Sequence, residues 1–559
     1  MMKPWYRRGL ATIGTLLILV LLLPGSSPSQ ANAESSYGES LTILGADGVP
    51  GILNCNPFLP GESLTGTQGM IYETLLFFNQ MQGGKITPWL ATGYRFSSDA
   101  TSLTFTLRSG VKWSDGQDFT SADVVFTLTL LKRYPVLDTA GLWKVITSVS
   151  APDKQTVVVT FNQPSAPILW PLAGQTFIVP EHLWKNVADP TTYDNPRPVG
   201  TGPFLLKGFT TTVEYVLTRN PHYWQPDKPS IAQIVYELPH GGTADAPLVP
   251  PGWDWLGYAV PSIEQMLVQQ DPAHNRSWFP PIAVTMLYLN LTKAPFNQLA
   301  VRQAISAAID RRALSTQAEY GSEPVASPTA LLLPANQRFL APQYQHTTFG
   351  AADPARAAAI LQAAGFKKGS DGVYADAAGH RLAFTLNVPF GWSDWDMAAQ
   401  LIARYLDAVG MDVTVQELNF NTDYRSALSN GMFDAILAWT NTGPTPYYLY
   451  HALLASSSIP QPGSIAVSNW ERWSNPVTDQ LLQAYAQSPD ANVQQQAIVG
   501  LEQIMVEQLP AIPLLDEVDY AAYSTARFVG WPDAANPYAL PSPLNSPDAE
   551  IVALMLHAT

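Results

Sequence analysis

A single cysteine in 559 residues, Cys55, leaves no partner for an internal disulfide and no ligand set for a cysteine zinc site. A lone thiol of this kind reads as a small buried hydrophobe. Charge is scarce too. Only 13% of residues are charged, and 30 Lys and Arg face 45 Asp and Glu, a net charge of −15. Phosphate contacts need clustered cations, so this balance argues against a duplex-binding or polybasic membrane surface. The eight histidines are scattered, with no HExxH or H-x-x-x-H pair, and neither a G-x-S-x-G nor a P-loop occurs. No metal, cofactor or catalytic residue is expected. His182, His222, His240 and His274 are the ones that could reach a cleft, although exposed or capping histidines are commoner.

Long apolar runs are equally rare, and the one that exists is terminal. "LATIGTLLILVLLL" follows Lys3, Arg7 and Arg8, is stopped by Pro24, and gives way to "ANA" at Ala31–Ala33. That is the layout of a secretory signal peptide over 1–33, cleaved after Ala33. The run is short of the ~20 apolar residues a membrane span needs, so an uncleaved anchor is the lesser reading. Cys55 lies too far downstream to be a lipid-anchoring cysteine. Loss of the three basic residues takes the mature charge to about −18. The expected location is periplasmic, secreted or on the outer cell surface.

What is present is a proline-punctuated mixture of strands and helices. With 46% hydrophobic residues the chain is not disordered, and its length asks for two or three domains. "LTFTL" and "TVVVTF" (Thr156–Phe161) read as strands. "SADVVFTLTLLKRY" reads as a helix capped by Thr120 or Ser121, with Asp123 in its first turn. "AVRQAISAAIDRRAL" carries apolar residues at three- and four-residue spacing. "DPARAAAILQAAGF" has Pro354 in its first turn and Gly365 at its end. "NVQQQAIVGLEQIMVEQLPAIPL" reads as a helix stopped at Pro510. Asp115-Gly116 is a turn dipeptide, and Asp115, Asp118 and Asp123 read as turn and cap chemistry. The alternate oxygen ligands and closing Glu of a calcium loop are missing.

These blocks carry a resemblance. "LATGYRFSSDATSLTFTLRSGVKWSDGQDFTSADVVFTL" is similar to the signature region of the extracellular solute-binding proteins, family 5, the peptide, nickel and oligosaccharide receptors of ABC importers. Four more blocks follow that family's order: "MIYETLLFFN", "VGTGPFLL" with "LTRNPHYW", "LYLNLTKAPFNQLAVRQAISAAIDRRAL" and "DPARAAAILQAAGF". The resemblance implies an α/β, periplasmic-binding-protein-like fold of type II, cluster C. Two lobes joined by a hinge would close over a solute, with an extra inserted domain. Lobe I would be discontinuous, over 34–78, 201–294 and 505–559. The inserted domain would take 79–200, and lobe II 295–504. "PVGTGPF" and "TKAPF" are Pro/Gly-marked joints where closure could be absorbed. The implied partners are an ABC permease and ATPase, with the chain itself a monomer and no enzyme.

The solute is read from less. Oligopeptide members follow a Trp with an Asp that pairs with the peptide ammonium, whereas this chain has Trp439-Thr440-Asn441. An Asn cannot neutralise a buried cation. The tryptophan-rich stretches look more like the branch with cello-oligosaccharide receptors, whose ligands offer apolar C–H faces and polar rims. The ligand-site residues expected are Trp392, Asp394, Trp439, Asn441, Asn469 and Trp470 from second-lobe loops. Trp255 and Tyr258 would face them from the first, with Trp253 and Trp255 on one side of a strand and Asp254 on the other. An oligopeptide receptor is the alternative, and a glycosidase-like enzyme with paired carboxylates the remote one.

Overall fold

The computed structural model describes residues 38–45, 52–210, 214–237, 242–243, 246–247, 252–257, 263–460 and 464–559. The expected signal peptide over 1–33, Tyr258 and His240 lie outside them. Three sheets organise the described chain. A four-stranded antiparallel sheet joins Ala91–Phe96, Ser102–Leu107, Thr156–Phe161 and Ile146–Asp153 in that order. In Thr156–Phe161 every second residue is buried, the alternation that TVVVTF announces. A seven-stranded sheet runs Asn275–Ser277, Ala522–Ser524, Trp255–Leu256, Gly38–Leu44, Ile231–Glu237, Glu214–Arg219 and Phe204–Thr210. A five-stranded sheet runs Asp412–Leu418, Ala383–Pro389, Ala435–Trp439, Pro281–Leu289 and Ile512–Val518.

The last two strands change the domain picture. Pro281–Leu289 and Ile512–Val518 pair with each other inside the five-stranded sheet, although boundaries at 294/295 and 504/505 would assign them to the other lobe. The chain passes between the two larger sheets twice, through Trp278–Pro280 and Asp519–Ala521. These crossovers lie side by side: Trp278 N donates to Ala521 O at 3.2 Å, and Asp519 N donates to Pro280 O at 2.9 Å. "PVGTGPF", in contrast, is locked. A Cβ built on Gly200 would sit 1.8 Å from Ile71 O and one on Gly202 2.4 Å from Met70 O. Phe204 N also donates to Met70 O at 3.0 Å. That segment is a tightly seated joint and not a place where φ and ψ can swing.

Helices begin where their caps place them. Thr120 and Asp123 form a capping box ahead of Ser121–Arg133. Asp353 caps Pro354–Ala363, and Gly365 follows with φ +89°. The helix expected across 300–314 is interrupted. Leu299–Ala308 ends, and Asp310 accepts from Arg312 N and Ala313 N at 3.1 Å each, starting a new turn. The long helix Ala491–Gln508 ends on Leu509 at φ +46° just before Pro510.

Two large apolar cores result, and a third, small cluster holds Leu44, Leu256, Ile263, Leu267 and Ala522. One surrounds the five-stranded sheet, with Val284, Leu386, Ile402, Ile436 and Leu514 buried. The other joins the four- and seven-stranded sheets through Phe105, Val157, Ile231, Tyr236 and Val552. Cys55 is fully buried in this second core, and burial pushes its thiol up to about 12, so the side chain is an inert apolar filler.

Candidate functional site

Ala383–Pro389 is parallel to both Asp412–Leu418 and Ala435–Trp439. The carboxyl ends of three strands therefore open on one side of the sheet, the place where ligands settle in open α/β sheets. Four aromatic side chains gather there. Trp392 follows the first strand, Phe420 the second, and Trp439 ends the third. Trp395 comes from the first turn of the helix Ser393–Val409. Ring centroids of Trp392 and Trp439 are 5.1 Å apart, those of Trp395 and Trp439 4.9 Å, and those of Trp392 and Phe420 5.0 Å in a stacked pair. Trp395 is buried, while Trp392, Phe420 and Trp439 keep part of their faces accessible. Asp394 also lies in the helix, so the stretch read as a loop is a helix start with Trp392 at its N-cap.

Carboxyl groups complete the site from distant parts of the chain. Trp439 Nε1 donates to Glu517 Oε2 at 2.7 Å, and Thr285 Oγ1 reaches the same oxygen at 3.5 Å. Glu319 and Glu323 are buried in the loop that approaches Glu517. Burial, followed by the charge of Asp394, holds Glu319 at about 8. Burial also raises Glu517, against the Trp439 and Glu323 hydrogen bonds, to about 7. Glu323, beside Glu517 and Glu319, is pushed well above the carboxylate range by burial and then by those like charges. Near neutral pH such a group holds protons between its carboxyls and offers both donors and acceptors. Tyr520 ties the cluster to the crossover: its hydroxyl lies 3.3 Å from Ser322 Oγ and its ring 5.4 Å from that of Phe279.

The expected site residues divide. Trp392, Asp394 and Trp439 come together. Asn441 is exposed on the following loop, where its Nδ2 donates to Val467 O at 3.3 Å. Trp470 is half-buried, edge-on to Tyr288 at 5.4 Å. Asn469 is a structural plug: 1% exposed, it donates to Ala455 O and Trp473 O at 2.9 and 2.8 Å and accepts from Trp473 N at 2.7 Å. No polar atom of its amide is left for a solute. Trp255 is fully buried in the core of the four- and seven-stranded sheets, with Nε1 donating to Pro541 O at 2.6 Å and its ring against Trp531. Its strand has only two residues, and Asp254, also buried, binds Arg527. The alternation that suggested a platform belongs to the core. Glu319, Glu323, Glu517 and Phe420 were missed, and Trp395 was left off the expected set although it stands three residues from Trp392 in the sequence.

The histidines stay apart. His182 faces Asp115 at 2.7 Å and His274 faces Asp271 at 2.9 Å, while His222 is exposed. Among the described residues no three His, Cys, Asp or Glu side chains converge on a metal site, and no described helix is long and apolar enough to cross a membrane.

Comparison with known proteins agrees with this architecture. The chain is 28% identical over 420 residues to the nickel-binding periplasmic protein of Escherichia coli K12, covering 72% of this chain and 76% of that one. It is 25% identical over 518 residues to the dipeptide-binding protein of the same organism, covering 88% and 92%. A crystal structure of the periplasmic oligopeptide-binding protein of an oligopeptide ABC transporter from Thermotoga maritima superposes with a TM-score of 0.84. It has 26% identity and covers 93% of this chain and 99% of that one. The mannohexaose-bound structure of the Thermotoga protein superposes at 0.73, with 25% identity and coverage of 93% and 98%. The profile of the bacterial extracellular solute-binding proteins, family 5 Middle, matches residues 85–461. The chain therefore belongs to the family 5 solute-binding proteins, α/β receptors of ABC importers that hold a solute and do not transform it.

Proposed function

We propose that this receptor captures a short neutral oligosaccharide of cello type and delivers it to an ABC permease driven by a separate ATPase. The aromatic group Trp392, Phe420 and Trp439, facing carboxyls that share protons, carries this reading. Sugar rings stack their C–H faces on indoles, and hydroxyls need neighbours that both donate and accept. The mannohexaose found in the Thermotoga relative supports the same class of solute. The lobes follow the sheets: the first holds the seven-stranded sheet, the second the five-stranded sheet, with 79–200 inserted. Closure is hinged at Trp278–Pro280 and Asp519–Ala521. The receptor acts as a monomer outside the cytoplasm after cleavage near Ala33.

One observation favours a second reading. The carboxylate absent at Asn441 is replaced in kind by Glu517, Glu323 and Asp394, any of which would partner the ammonium of a peptide. Calorimetry with cello- and manno-oligosaccharides on one side and tri- and tetrapeptides on the other separates the two. Binding of a sugar, with small-angle scattering showing a more compact particle, is the expected result. Micromolar binding of a peptide with no heat from any sugar would reverse the assignment.

A further inference from the structure

The strand Ile512–Val518 has two faces, and only one serves the cleft. Glu517 turns toward Trp439. Asp516 turns the opposite way, beneath the segment Pro324–Pro328, to which the strand is stitched: Asp516 N donates to Pro324 O at 2.8 Å and Ala326 N to Leu514 O at 3.2 Å. A second cavity of about 860 Å³ opens there, with Asp516, Arg311, Arg312 and Asp310 in its wall and Val325 and Leu340 among its apolar lining.

The charged groups of this cavity do not satisfy one another. Asp516 is 4% exposed, and its Oδ1 is buried with no hydrogen-bond partner among the described residues. Arg311 is equally buried. It donates to Pro513 O at 2.8 Å, Ser306 O at 3.0 Å and Ser306 Oγ at 2.9 Å, and Phe349 covers its guanidinium carbon at 3.6 Å. No carboxylate lies within ion-pair distance of it among the described residues. Burial alone raises Asp516 to about 8 and lowers Arg311 to about 9, as it does for charges without a counter-ion. Asp310 is committed to its helix cap. Arg312 is exposed and forms no ion pair among the described residues.

We propose that this cavity is a second ligand site, separate from the cleft, for a small aliphatic amino acid. Its ammonium would sit on Asp516, its carboxylate would turn toward Arg312 at the exposed edge, and its side chain would lie against Val325 and Leu340. Among the described residues Asp516 leaves an acceptor without a partner and Arg312 a cation without an ion pair, so a zwitterion meets both, whereas a simple cation or anion leaves one of them unmet. Val325 and Leu340 give an aliphatic side chain an apolar contact, and Ser327, Gln345, Thr347 and Thr348 also line the cavity.

The test uses the mature chain and L-leucine as probe, followed by calorimetry. Saturable one-to-one binding is expected. 3-Methylbutylamine, which lacks the carboxylate, and 4-methyl-2-oxopentanoate, which lacks the ammonium, should each bind at least about tenfold more weakly. Asp516→Asn keeps the shape, removes the ionisable carboxyl and should abolish leucine binding. Arg312→Ala alters an exposed side chain and should weaken binding about tenfold, which decides the matter if Asp516→Asn does not fold. Absence of saturable heat up to about 10 mM leucine overturns the proposal. So does binding that survives both substitutions, or binding of the amine as tight as that of leucine.

Discussion

Trp439 has two tasks that substitution can separate. Its ring packs within about 5 Å of Trp392 and Trp395, and its Nε1 holds Glu517 at 2.7 Å. Trp439→Phe keeps an aromatic face and removes the donor. A hydrogen bond to a charged acceptor contributes about 1.5–3 kcal/mol and one to a neutral acceptor about 0.5–1.5. Burial holds Glu517 at about 7, so at neutral pH it is near half-protonated and the loss should be about 1.5 kcal/mol, midway between the two cases. At about 2.1 cal/mol/K per residue, that lowers the melting temperature of a chain this long by only about 1 °C. Oligosaccharide affinity should fall by no more than about threefold, because a stacking face remains. Trp439→Ala removes face and donor together and should cost about 1–3 kcal/mol of binding, roughly five- to 150-fold. Scanning calorimetry and titration of all three proteins with one oligosaccharide give the comparison. If Trp439→Phe loses as much affinity as Trp439→Ala, the N–H matters and the ring is not a platform. If Trp439→Ala binds like the wild type, the site lies elsewhere.

Two further outcomes are expected. Glu73 is held at about 6, Asp548 at about 7 and Asp516 at about 8, each chiefly by burial. The folded chain therefore keeps protons that the unfolded chain, with carboxyls near 4, releases. Stability should fall as pH rises from about 4 to about 8 and then level off, by about 1.4 kcal/mol for each tenfold by which folding tightens a carboxyl's hold on its proton. A melting temperature higher at pH 8 than at pH 5 would contradict the burial argument. Sequencing of exported protein should begin at or near Glu34, and a chain still carrying Lys3 would show an uncleaved anchor.

Much of the fold was legible because its signals are local. Thr120 and Asp123 lie three residues apart and cap one helix, and Pro354 and Gly365 bracket another. The break at Ile309 was not legible, since an apolar period continues across it and only the Asp310 side chain resets the turn. The site was half legible for the same reason. Trp439 ends a strand, and Trp392 and Asp394 start the helix just after another, positions whose local pattern is visible, but Glu517 reaches Trp439 from 78 positions away, and pairing across a sheet leaves no trace in either segment. Trp255 misled because alternation marks a strand face without saying whether that face meets solvent or the core.

The paired crossovers have a mechanical consequence. Two segments running side by side, with bonds from Trp278 to Ala521 and from Asp519 to Pro280, behave like a leaf spring. Such a strip bends readily across its thin direction but resists twisting and in-plane shear, because either would stretch its cross-links. The sheets it connects would then follow a single path as they approach, whatever solute lies between them. Tyr520 sits within the strip and touches the loop bearing Glu319 and Glu323. On the proposed hinge and site, the flexing element and the carboxyls that would meet the solute share a side chain, and filling the site would load the spring directly.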